Sequence, residues 1–261
     1  MAVRAALFDL GNTLVGYYRS HEFPSILRQC LRSAAAATGL TLAEVDEAQM
    51  FEHAMRLNRE REDYAVRPLG NRIRELLQDH VELTGNKLAD VCRAFLVPIF
   101  ACAQPDAEAP RILAELRHRG VKTCIVSNTP WGSPAAAWRE DLDRHGLLDK
   151  VDAVVFCVDV GWRKPHPAPF HRALELLSVP ASEAVFVGDD PRWDVVGAER
   201  VGVRPILLSP DGVTGDTPYT VIRNLGEMLA SIDAAEVPAA TRQRASVRQL
   251  YPCPLSFVFS P

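Results

Sequence analysis

The chain has 261 residues and a formal net charge of −4, with 48% apolar and 24% charged side chains. That length suits one large domain or a domain with a sizeable insertion, and the composition supports a buried core and excludes wholesale disorder. The mild acidity leaves no footprint for nucleic acid or an anionic bilayer, and no apolar run is long enough to span a membrane.

Residues 3–8, VRAALF, form an apolar run that stops at Asp9-Leu10-Gly11-Asn12, as expected of a buried strand ending in a turn. From about 16 to 106 there is no convincing strand. Residues 25–37 carry Leu27, Cys30, Leu31 and Ala34 on one helical stripe, and Thr41-Leu42-Ala43-Glu44 reads as a capping box. The mixed-sign run RLNREREDY at 56–64 reads as a solvated helix face. Residues 69–84 place Ile73, Leu76, Leu77 and Val81 on one face with Gly85 as the stop, and 87–103 reads as helical despite Pro98. PRILAELRHRG follows, with Pro110 in the first turn and Gly120 as its stop.

Four more apolar runs come next: VKTCIV at 121–126, AVVFCV at 153–158, AVFVG at 184–188 and RPILL at 204–208. They are continuous rather than alternating, which is the pattern of strands covered on both faces. The helical segments APFHRALELL and WDVVGAERVG precede the last two. The expected fold is therefore α/β, a doubly wound parallel sheet with right-handed crossovers and an inserted all-helical segment. YTVI is a candidate edge strand and LGEMLASI a last helix; residues 235–261 form an extension with no readable role. The scattered cysteines (Cys30, Cys92, Cys102, Cys124, Cys157, Cys253) show no metal spacing and suit reduced thiols of a cytoplasmic protein. MAVRAALF runs straight into Asp9 without a cleavage site, against a signal peptide.

In an open parallel sheet, ligands sit outside the carboxyl ends of the strands. There stand Asp9 after the first strand, Ser127-Asn128 after the second and Asp189-Asp190 after the fourth, with Lys164 in the loop after the third. A nucleophilic carboxylate, a hydroxyl, an ammonium and metal-binding carboxylates suit displacement at phosphorus.

FDLGNTL at 8–14, IVSN at 125–128, RKPHPAPF at 163–170 and VGDDPRWDVVGA at 187–198 resemble, in order, the four motifs of the haloacid dehalogenase superfamily. The likeness covers about 1–15 and 107–232. It implies a Rossmann-like hydrolase core over 1–15 and 107–234 and a type-one helical cap over 16–106. By the same likeness Asp9 is the nucleophile and a metal ligand. Ser127 and the amide of Asn128 hold the transferring phosphoryl group, and Lys164 neutralises charge between nucleophile and phosphate. Asp189, the backbone carbonyl of Gly11 and, through a water, Asp190 serve Mg²⁺, while Asp194 orients Lys164 or a metal-bound water. The implied activity is a Mg²⁺-dependent phosphohydrolase acting on a small phosphorylated metabolite, in a monomer or homodimer.

One position departs from the pattern. Two residues after the nucleophile, phosphatases of the superfamily usually carry an aspartate as general acid and base; here it is Gly11. Such help is typically worth ~10²–10⁴-fold, so a weak or specialised enzyme, favouring good leaving groups, is implied. Two alternatives stay open: a metal-independent 2-haloacid dehalogenase-like hydrolase, and a low-activity member acting by binding a phospholigand. Dehalogenases of the superfamily also lack the second acid, but usually carry Ser and Asn where this chain has Gly188-Asp189-Asp190.

Each residue also has a plainer reading. Asp9 could cap a turn, Ser127-Asn128 could form one, Lys164 could be an exposed loop lysine, and Asp190 could cap the helix near Pro191. Thr13 would support the first loop by hydrogen bonding. His166 is a weak candidate acid. Trp131, Trp162 and Trp193 flank motifs and could line the pocket, with packing the default for each, while Tyr17, Tyr18 and Arg19 could face substrate next to a hinge at Gly16.

Overall fold

The computed structural model describes residues 2–40, 46–57, 63–78, 80–214 and 216–234. The capping box at 41–44, Arg59 and Arg61, Cys253 and the 235–261 extension lie outside them. In chain order the elements begin with β1 (Ala5–Phe8) and β2 (Val15–Gly16). The helices α1 (Phe23–Thr38), α2 (Glu47–Arg56), α3 (Leu69–Leu77) and α4 (Gly85–Phe100) follow. Then come β3 (Gln104–Pro105), α5 (Ala109–His118), β4 (Lys122–Ser127) and α6 (Ala135–Arg144). β5 (Ala153–Phe156), α7 (Cys157–Val160), α8 (Pro167–Leu177) and β6 (Ala184–Gly188) continue the chain. A π-helical turn, Pro191–Val195, leads into α9 (Val196–Arg200), β7 (Arg204–Leu208), β8 (Thr220–Ile222) and α10 (Met228–Ala234).

The main sheet is parallel throughout, ordered β5-β4-β1-β6-β7-β8. Helices cover both faces, and strand alternation decides which residue meets which layer. Ala6, Phe8 and Ile125 share a cluster with Ile112, Leu113 and Leu116 of α5. Ala5, Leu7, Cys124 and Val126 pack on the other side with Phe170 and Ala173 of α8. Each large side chain fully buried there contributes ~1.5–3 kcal/mol. This is the doubly wound α/β architecture the sequence implied, and among the described residues no helix is long and apolar enough to cross a membrane.

Several elements differ from the sequence expectations. β2 and β3 are a strand pair at the two ends of the helical stretch, where none was expected: Val15 and Gly16 pair antiparallel with Pro105 and Gln104. Gly85 does not close the third helix; α3 ends at Leu77 and Gly85 opens α4 with φ +51°. The AVVFCV run stops being a strand at Phe156, because Asp159 bends back to accept the Phe156 N–H at 2.9 Å and starts α7. α6 was not expected at all. Its inward face joins Trp138 and Leu142 to a buried carboxylate, Asp141, which interrupts the apolar stripe.

The helical stretch touches the rest of the protein at a second place. The N–H of Val66 donates to Gly161 O and the N–H of Arg163 donates to Tyr64 O, at 2.9 and 2.8 Å. Nearby, Phe95 of α4 stacks on Trp131 with ring centroids 5.6 Å apart.

Candidate active site

β1 lies between β4 and β6, where the strand order turns over, so the open edge there is the place for a ligand. The N–H of Asp9 donates to Val187 O at 2.8 Å, extending the ladder one residue and fixing the Asp9 side chain at that edge. Ser127 ends β4, and Asp189 directly follows Gly188, the last residue of β6.

The side chains converge. Asp9 Oδ1 accepts a hydrogen bond from Ser127 Oγ at 2.9 Å and another from Lys164 Nζ at 2.6 Å. Lys164 Nζ also lies 2.7 Å from Asp194 Oδ1, so one buried ammonium bridges two carboxylates. Carboxylate oxygens of Asp9, Asp189 and Asp194 all lie within 4.8 Å of one another. A glycine at 188 permits this approach, since a Cβ there would stand 2.2 Å from Asp194 Oδ2.

The supporting bonds explain why these positions hold. Asn128 clamps the Lys164 backbone, accepting from its N–H at 2.8 Å and donating to its carbonyl at 3.2 Å. Asp194 Oδ2 accepts from the Asp190 N–H at 3.1 Å. In the first loop, Leu10 O accepts from the N–H groups of Thr13, Leu14 and Val15, while Asn12 sits at φ +57°, a conformation asparagine tolerates. Thr13, expected to support this loop by hydrogen bonding, does so through its backbone N–H; its hydroxyl is buried without a partner among the described residues.

Three carboxylates against one ammonium leave the pocket electron-rich. Burial, then the charges of Asp9, Asp194 and Asp190, push the Asp189 carboxyl up to about 8, against the pull of Lys164. Burial is also the main cause raising Asp194, opposed by Lys164. Burial alone would lower the Lys164 ammonium, but Asp194 and Asp9 outweigh it and hold it above its ordinary value. An all-oxygen acidic set that is costly to ionise unaided fits a hard divalent cation.

Asp190 stands apart from the trio. Its carboxylate accepts from the Arg192 backbone N–H at 2.8 Å and pairs with the Arg192 guanidinium at 2.6 Å. Of its two readings, the helix cap is therefore the one with visible partners. His166 is occupied as well: its Nδ1 accepts from the Ala168 N–H at 3.2 Å and its ring stacks on Trp162. Trp131 is buried packing, whereas Trp193 borders the cleft. The cleft, of about 220 Å³, also reaches Tyr17, Tyr18 and the backbone of Gly11, but Arg19 does not border it. Sequence reasoning missed Asn12, Pro130 and Trp138 in this lining. For Asn12 and Pro130, adjacency to the first two motifs was a usable signal. Trp138 gave none, because it depends on the unexpected helix α6.

The haloacid dehalogenase-like hydrolase family matches residues 3–202. A phosphoglycolate phosphatase of Rhodospirillum rubrum is 31% identical over 219 residues, covering 79% of each chain. A ribulose-1,5-bisphosphate 5-phosphatase of Halopiger xanaduensis is 39% identical over 106 residues, 41% of this chain. The chain spans less than half the length of some relatives it matches: 42% of that enzyme and 44% of a relative from Caldanaerobacter subterraneus. Among solved structures, a HAD phosphatase from Thermococcus onnurineus is 25% identical with a TM-score of 0.63, over 88% of this chain and 98% of that one. A 2-haloacid dehalogenase from Pseudomonas syringae shares the fold at 24% identity and a TM-score of 0.67, over 90% and 100% of the two chains.

Proposed function

The chain belongs to the haloacid dehalogenase-like hydrolase family, and from that premise we propose that it is a Mg²⁺-dependent phosphohydrolase that works through an aspartyl-phosphate on Asp9. The observation that carries this reading is the Asp9 carboxylate at the sheet's switch point, gripped by Ser127 and Lys164 and within 4.8 Å of two further carboxylates.

Asp9 attacks phosphorus with one carboxylate oxygen as the substrate oxygen departs, and water then hydrolyses the acyl phosphate. Ser127 Oγ turns from Asp9 to an equatorial phosphoryl oxygen, joined by the Asn128 amide. Lys164, kept charged by Asp9 and Asp194, offsets the charge that accumulates between nucleophile and phosphate. Asp194 is a positioning residue that holds the Lys164 ammonium. Mg²⁺ held by Asp9, Asp189 and the Gly11 carbonyl would supply further charge neutralisation. Asp190, paired with Arg192, fixes the helix start that presents Asp194.

The substrate in this reading is a small phosphorylated molecule, consistent with relatives named as phosphatases. A dehalogenase reading draws support from Gly11, since halide leaves without a proton, but the acidic trio works against it: two further buried carboxylates, with Lys164 as the one ammonium among them, disfavour an ionised attacking carboxylate unless a further cation joins the set. Turnover of a generic aryl phosphate by the full chain tests the proposal. Release of phosphate should require Mg²⁺ and fall to background in Asp9→Asn. Release unchanged by that substitution removes the reading, and halide release from a 2-haloacid in chelator would install the alternative.

A further inference from the structure

Three properties of the cleft bear on what leaves when phosphorus is transferred. The first is its walls. Beyond the phosphate-facing groups it is bordered by Leu10, Asn12 and Pro130 and by four aromatic rings, those of Tyr17, Tyr18, Trp138 and Trp193. Other contacts already hold these rings. Tyr17 meets Trp138 edge-on with centroids 5.3 Å apart, the Trp138 indole N–H donates to Ser133 Oγ at 2.8 Å, and Tyr64 meets Trp193 edge-on at 6.1 Å. Rigid aromatic faces set in advance favour a flat, apolar guest.

The second property is charge. Among the described residues lining the cleft, Lys164 is the sole cation, and it is committed to Asp9 and Asp194. The nearby guanidinium of Arg192 is bound to Asp190, and Arg163 donates to Thr129 O. Among the described residues, a second anionic group carried by the bound substrate would therefore meet rings, the Asn12 amide and carboxylates in place of a free counter-charge, an unfavourable exchange for its lost hydration.

The third is that no acidic side chain stands two residues after the nucleophile, on the side of the cleft that the rings border. Position 11 carries no side chain, and nothing lies within 4 Å of where its Cβ would stand. The Tyr17 hydroxyl donates to Asp141 Oδ2 at 2.7 Å. Burial, that bond and the Asp141 charge raise it far above an ordinary phenol. Burial raises Tyr18 as well.

Resting on the phosphohydrolase reading above, we propose that the substrate is an aryl phosphomonoester whose leaving group is a flat, uncharged ring that departs as its phenolate. The Asp9 oxygen bonds to phosphorus as the bond from phosphorus to the aryl oxygen breaks. The electron pair of that bond stays on the aryl oxygen, and bulk water protonates the phenolate after release. The open space beside Gly11 and the aromatic walls accommodate the ring, while the lack of a side-chain acid at position 11 penalises alkyl esters, whose alcohols depart poorly without a proton.

Initial rates with Mg²⁺ on phenyl phosphate, benzyl phosphate and phosphoglycolate test this. Benzyl phosphate keeps the ring but has a poor leaving group; phosphoglycolate adds an anion and lacks the ring. The expected KM values of the two aromatic esters are similar, with kcat lower for benzyl by ~10²–10⁴-fold, the usual worth of acid help. Phosphoglycolate should be the poorest by kcat/KM. Tyr18→Leu should raise KM for phenyl phosphate by about 2- to 12-fold while leaving kcat nearly unchanged. Gly11→Asp, for which there is room, should speed benzyl more than phenyl phosphate. Equal kcat on the two aromatic esters, or preference for phosphoglycolate, overturns the inference and leaves the phosphohydrolase reading intact. Phosphate release from none of the three overturns both.

Discussion

Asp189 imposes a pH-dependent cost on the metal-free protein. Its carboxyl is pushed up to about 8, first by burial and then by Asp9, Asp194 and Asp190, whereas an unfolded aspartate titrates near ~3.9. Between those values the folded state keeps a proton that the unfolded state has released, so stability falls as pH rises through the window. Asp189→Asn abolishes that titration. In chelator, its melting temperature should exceed that of the parent protein at pH 8.5, with the difference shrinking towards zero at pH 4.5. Thermal denaturation across that range is the check, and a difference that ignores pH would show that Asp189 pays no desolvation cost. The site's other residues reveal how far sequence reading reaches. Asp9, Ser127, Lys164, Asp189 and Asp194 could be singled out because each sits at a strand end or in a motif. The split between Asp189 and Asp190 could not, because it depends on Arg192 folding back onto the second carboxylate at 2.6 Å.

At the scale of elements, β6 and β7 were legible to the residue, since strands buried on both faces read as unbroken apolar runs. α6 was illegible for the opposite reason. Its inward stripe contains Asp141, which pairs with Arg144 of the same helix at 3.0 Å and accepts from the Tyr17 hydroxyl, 124 residues away, at 2.7 Å. No local pattern announces the tyrosine, without which an acidic residue reads as facing solvent. The β2–β3 pair escaped notice because two residues per strand carry no periodicity. The loop after β4 also makes a contact that no local pattern announces. Gly132, at φ +63°, lies so close to the helical stretch that a Cβ there would fall 2.2 Å from Arg67 O. Gly132→Ala should therefore push the 66–67 backbone away as well as straining its own. The left-handed conformation alone costs about 1–3 kcal/mol for a residue with a side chain. A urea midpoint lowered accordingly is expected, together with a KM raised more than kcat is lowered, because the walls of the cleft shift while Asp9 and Lys164 stay in place. An unchanged KM would mean that this contact does not shape the cleft.

For the whole molecule, the charge that matters is the acidic centre at the edge of the sheet, which Lys164 balances only in part. A divalent cation that binds the folded state alone stabilises it by mass action, by about 2.7 kcal/mol at a hundredfold excess over its Kd. For 150–250 residues each kcal/mol moves the melting temperature by about 2–4 °C, so saturating Mg²⁺ should raise it by roughly 5–11 °C. Two controls tie that rise to the trio. It should grow as pH increases towards 8, since the cation competes with the proton on Asp189. It should also persist in Lys164→Met, where removal of the buried ammonium leaves the carboxylates with more unbalanced charge, even though phosphoryl transfer is lost. Differential scanning calorimetry with Mg²⁺ and with chelator separates these outcomes. If Mg²⁺ left the transition where it was at every pH, Asp9, Asp189 and Asp194 would have to be reinterpreted as a network balanced by protons and Lys164 alone.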